Sequence, residues 1–100
     1  MERSELVERL RQRQADLRGR LEDALQRAWT SKAQYEELDQ LLSIDGLGDV
    51  AGRVQQLRQA KLAENASAIE EVQSILARLQ VHDELMAVLG EGTDDGAERA

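Results

Sequence analysis

Ser43-Ile44-Asp45-Gly46-Leu47-Gly48-Asp49 is the stretch whose reading decides the fold. Two glycines interleaved with aspartates are turn chemistry. Gly46 suits the position just past a helix end, where φ is positive. Asp49 suits the cap of a following helix, accepting a backbone N–H near Gly52. On both sides the chain lacks proline and is rich in Leu, Ala, Glu, Gln and Arg, which favours helix in both directions. One turn between two long helices makes an all-α antiparallel hairpin.

Upstream of the turn, a helix is expected over residues 3–44. With Val7 at position a of a heptad, the a positions read Val7, Gln14, Leu21, Ala28, Tyr35 and Leu42. The d positions read Leu10, Leu17, Ala24, Ser31 and Leu38. All but Gln14 and Ser31 are apolar or aromatic, which is the pattern of a coiled-coil seam. Flanking positions are largely basic: Arg11, Arg13, Arg18, Arg20, Arg27 and Lys32. Gln14, and Asn65 on the second helix, are polar seam residues of the kind that fix register at a cost in stability.

Downstream, a second helix is expected over 49–89. Its apolar residues suggest a seam of Leu47, Val50, Val54, Leu57, Leu62, Asn65, Ile69, Val72, Leu76, Leu79 and Met86. The step from Leu57 to Leu62 is too long for an unbroken repeat. Two readings follow: one continuous helix with a stutter near Lys61, or a break near 65–67, where Ser67-Ala68-Ile69-Glu70 fits a capping box and a third helix would begin. Gly90-Glu91-Gly92 is a second stop signal. The small, acidic stretch 90–100 reads as a disordered tail, leaving residues 1–89 as the folded hairpin with its turn at 45–49.

Charge placement supports the antiparallel pairing. Residues 1–27 carry seven Arg against six acidic groups, whereas residues 62–100 carry nine acidic groups against two Arg. Folding at Gly46 brings Arg9, Arg11 and Arg13 toward Asp83 and Glu84, and Arg20 toward Glu70 and Glu71. It also brings Glu36, Glu37 and Asp39 toward Arg53, Arg58 and Lys61, and Asn65 toward residue 28. Exposed pairs of this kind select orientation more than they stabilise.

A two-helix seam leaves apolar residues over. Leu25, Trp29 and Ala33 recur at i, i+4 and i+8, beside Leu21 and outside the main line. Trp29 reads either as packing against another helix of the same protein or as an anchor for a different one. The second helix also has a wide apolar face, with Ile75, Val81, Leu85 and Leu89 beyond a strict seam. Chains of this size seldom bury enough without further packing. Assembly as a dimeric four-helix bundle, or packing on a partner helix, is therefore expected.

Several function classes fit poorly. The 100 residues include 20 acidic and 13 basic side chains, one His, two aromatics and no Cys. Without Cys there is no disulfide framework, thiol nucleophile or thiolate metal site. His82 has Leu79 where a Glu-x-x-His metal motif of a bundle needs Glu, and Gly46-x-Gly48 follows a helix rather than a strand, so no phosphate loop is read. The carboxylates are interleaved with Arg and Lys as on a solvated helix face, and neither catalysis nor any cofactor or small-molecule substrate is expected. The net charge of −7 and the absence of aromatics among the first-helix arginines argue against nucleic acid. The longest apolar run, Leu85 to Leu89, is far too short to span a membrane, and no membrane partner is expected. The charged opening lacks a secretory pattern, which makes an intracellular, cytoplasmic location the expectation.

The expected function is thus protein–protein interaction: a non-catalytic coiled-coil adaptor, scaffold or assembly subunit whose partner is itself or another protein. Leu21, Leu25, Trp29 and Ala33 form the expected contact patch, and Leu10, Leu17, Leu38, Leu42, Val54, Leu57, Ile69, Val72, Leu76 and Leu79 the pairing seam. One alternative is a small helical chaperone or regulatory partner that masks a client's helices. Another is a spacer holding two ends roughly 60 Å apart. In outline the hairpin resembles small secreted helical-hairpin proteins with a Trp-x-Gly turn. Here Trp29-Thr30-Ser31 lies mid-helix instead, and no membership is assigned.

Overall fold

A computed structural model describes the backbone of residues 2–99 and the side chains of residues 2–90. The fold is an all-α hairpin of two long helices packed against each other, α1 (Arg3–Leu42) and α2 (Val50–Arg99). It divides into two compact units: Met1–Leu21 with Gln73–Ala100, and Glu22–Val72, which contains the turn.

The turn closes by backbone geometry. The Ser43 and Ile44 N–H groups donate to the Gln40 and Leu41 carbonyls, each at 3.1 Å, tightening the end of α1. Ser43 Oγ donates to the same Gln40 carbonyl at 2.6 Å. This ends α1 at Leu42, two residues before the expected boundary. Gly46 (φ 94°) and Gly48 (φ 59°) then reverse the chain through left-handed backbone that glycine adopts without strain. At the start of α2, Val50 N–H donates to Leu47 at 3.1 Å and Ala51 N–H to Gly48 at 3.3 Å. Asp49, expected as the cap, accepts no hydrogen bond among the described residues.

Along α1 the buried and half-buried residues are Val7, Leu10, Gln14, Leu17, Leu21, Ala24, Ala28, Ser31, Tyr35, Leu38 and Leu42, with Leu41 beside the last. Their alternating three- and four-residue spacing is a coiled-coil seam. Leu17 and Ala24 are fully buried, and Leu38 nearly so.

The inward face of α2 differs from the sequence reading. It follows Ala51, Val54, Arg58, Lys61, Asn65, Ala68, Val72, Ile75, Leu79, His82 and Met86. This is an unbroken three–four repeat, so the seam contains no stutter and α2 has no break at 65–67. Leu57, Ile69 and Leu76, read as seam residues, stand outward at 48%, 42% and 50% exposure. Ala68 and Ile75 take the inward places instead. The physical reason is continuity. A straight repeat keeps one face of α2 on α1 without local overwinding, and long cationic side chains can lay their stems along such a seam while their charged ends reach water. Arg58 does so and pairs through Nε with the Asp39 carboxylate on α1. Lys61 pairs with Glu64 at 3.6 Å.

The helical backbone of α2 continues past Leu89, where the sequence reading ends it. The acidic tail set apart at 90–100 lies, from residue 91 onward, outside the described side chains.

Candidate functional site

Within the unit Glu22–Val72 the middle of the hairpin is built from small and polar residues. Ala24, Ser31 and Ala68 are buried, and Ala28 is half-buried. Asn65 reaches across from α2, donating from Nδ2 to the Ala28 carbonyl at 2.8 Å and to Ser31 Oγ at 3.3 Å. Ser31 Oγ donates in turn to the Arg27 carbonyl at 2.7 Å. The Asn65 amide thus fixes the register of α2 on α1. A buried donor left unpaired costs about 1–3 kcal/mol, so slipped pairings that strand this amide are disfavoured.

This layer, Ser31 level with Asn65, sorts the remaining residues into two different sides. On one side Arg27 pairs with Glu71, and a cleft of about 470 Å³ is lined by Arg27, Thr30, Gln34, Glu64 and Ser67 among others. That side is polar.

The opposite side carries larger apolar side chains. A groove of about 400 Å³ is lined by Ala28, Trp29, Lys32, Tyr35, Asn65 and Ile69. Trp29 is 76% exposed at its edge. Leu25, one helical turn before Trp29, is 39% exposed. Large apolar side chains gathered on one surface are the usual mark of an interaction site, and Trp in particular recurs at the energetic centres of interfaces.

The sequence-expected contact residues are therefore placed differently from one another. Leu25 and Trp29 stand together on the exposed face. Leu21 is a half-buried seam residue. Ala33 is exposed but lines a separate recess with Gln34, Glu37, Leu38, Leu57 and Lys61, away from Trp29's groove. Ile69 joins the face, having been read as part of the seam. The signal for it is the straight repeat: with Asn65 and Ala68 inward, Ile69 falls beside the seam rather than in it.

In the other unit, Gln14 is buried and its Nε2 donates to Asp83 Oδ1 at 3.2 Å. Nδ1 of His82 is buried there without a hydrogen-bond partner among the described residues. Among the described residues, no group of three or more His, Cys, Asp or Glu side chains is placed to hold a metal ion, and no helix is long and apolar enough to cross a membrane. No family model, curated protein or solved structure matches the chain.

Proposed function

We propose that this chain is a non-catalytic protein-interaction module, an adaptor or assembly subunit, that works by presenting one side of its hairpin to another helical surface. The observation that carries this reading is the exposure of Trp29 beside Leu25 and Ile69, over a groove built from both helices. Of the large apolar side chains on the hairpin's seam, Leu17, Leu38 and Ile75 are buried and the others only half-buried. Covering Trp29 and its neighbours removes apolar surface from water at roughly 25 cal/mol per Å². A rigid indole also loses little conformational freedom on docking.

Trp29 is the single tryptophan, so its fluorescence reports on this face alone. In dilute solution its emission should be that of a water-exposed indole, open to acrylamide quenching. Once the chain is assembled, with itself or with another protein, the emission should move to the blue and quenching should fall. Emission that stays solvent-like in the assembled state overturns the reading.

A further inference from the structure

We infer that the occupant of the Trp29 face is a second copy of this chain, each helix running antiparallel to its own counterpart about a two-fold axis level with residue 27 of α1 and Ile69 of α2. This rests on the interaction reading above and names the partner.

The exposed stripe of α1 has an ordered sequence of side chains. At alternating spacings of three and four residues, that stripe reads Glu22, Leu25, Trp29, Lys32. All four are exposed. Reversed and laid on itself about residue 27, Leu25 meets Trp29 and Glu22 meets Lys32. Each charged residue meets its opposite and the apolar pair meets itself. Neither charged residue has an ion-pair partner within its own chain among the described residues. A stripe complementary to its own reverse is what a two-fold, isologous interface requires, because the same patch serves both subunits.

On the second helix Ile69 lines the same groove as Trp29. It lies level with the centre of the α1 stripe: residue 27 is four residues before Ser31, and 69 is four residues after Asn65, the pair joined by the cross-helix hydrogen bond. Ile69 would meet its own copy. One two-fold axis lying in the shared face therefore passes the stripe's centre and Ile69 at once. The result is a four-helix bundle in which Trp29, Leu25 and Ile69 fill the core between hairpins, with Glu22 and Lys32 pairing at its rim.

The geometry has a sharp consequence for charge variants. In Glu22→Lys, the introduced ammonium of each subunit faces the native Lys32 of its mate. In Lys32→Glu, the introduced carboxylate of each faces the native Glu22 of its mate. Both substitutions are at exposed positions, and circular dichroism should show unchanged helix content. Sedimentation equilibrium should find the unmodified chain dimeric at low micromolar concentration, and each variant alone dissociated by about tenfold or more in Kd, since two attractive contacts become two repulsive ones. Mixing the two variants should restore a tight dimer, now strictly mixed. In that dimer the introduced ammonium faces the introduced carboxylate at one rim contact, and the two native side chains, Lys32 and Glu22, face each other at the second. The double variant carrying both changes should also dimerise with itself. A dimer indifferent to these changes, or one that the mixture does not restore, overturns the two-fold arrangement. A chain that stays monomeric while Trp29 is covered by a different protein overturns the second copy as occupant and leaves the interaction reading standing. A dimer in which Trp29 remains water-exposed overturns both.

Discussion

Leu17→Ala should leave the hairpin largely unfolded near physiological temperature. Leu17 is fully buried, and with Ile75 it is one of the few large apolar side chains that are closed off from water in this fold. Removing it forfeits the transfer energy of three carbons and leaves a cavity between two helices, a change that costs about 2–5 kcal/mol. Domains of this length have about 5–15 kcal/mol in total, and a pair of helices with a thin core sits toward the low end. The thermal midpoint followed by circular dichroism should fall by about 10 °C or more. The informative control is Leu76→Ala, the same chemical change on a side chain that is 50% exposed. It should move the midpoint of the monomeric chain by no more than a few degrees. Equal losses at the two positions would mean that Leu76, and not Ile75, faces α1.

Trp29→Ala should separate folding from assembly. The indole is mostly in water and its position lies within a long helix, where Ala is the better helix former. Folding stability of the isolated chain should therefore change by no more than about 0.5 kcal/mol. Assembly should suffer much more. Truncating a central tryptophan of an interface costs about 2–4 kcal/mol, or roughly 30- to 1,000-fold in Kd, and a two-fold interface loses it twice. Val88→Ala serves as the comparison, since Val88 is also well exposed but lies far along α2 from Ile69. It should leave Kd unchanged. Loss of helix content in Trp29→Ala would place the indole in the fold itself and remove the interaction reading.

The structure shows which parts of this molecule are legible from residues alone. The seam of α1 is legible because its inward positions are also its apolar ones, apart from Gln14 and Ser31. The pairing of Asn65 with residue 28 is legible because the glycine turn sets the fold-back point. The charge neighbourhoods follow only in part. Asp39 pairs with Arg58 as the fold-back implies, whereas Glu71 pairs with Arg27 rather than Arg20. The pairs Ser31–Asn65, Asp39–Arg58 and Arg27–Glu71 all lie about one helical turn further along α2 than a fold-back at Gly46 implies.

The seam of α2 is not legible by hydrophobicity, for a specific reason. Its aliphatic residues Leu57, Ile69 and Leu76 lie beside the inward line, while that line passes through Arg58, Lys61, Asn65, Ala68 and His82. Choosing the more apolar residue at each step creates an apparent stutter that the helix does not have. The geometric constraint that α2 keep one face on α1 outweighs the apolar ranking. Small residues at Ala24, Ala28 and Ala68 let the helices meet there without a large side chain. The exposed face follows from this choice of line: once Ala68 points inward, Ile69 is turned out beside Trp29, and a seam residue becomes part of the docking surface.

The docking face therefore depends on the placement of that single line on α2. Because the chain has no cysteine, a scan of single cysteines from residue 65 to residue 79 tests it directly by the rate of thiol labelling. The scan is made in the Trp29→Ala chain, so that association does not shield the outer face. Slow labelling at 68, 72, 75 and 79, with fast labelling at 69 and 76, is the expected result. Protection at 69 and 76 with rapid labelling at 68 and 75 would contradict it, turning Ile69 inward and dissolving the face on which the proposed function rests.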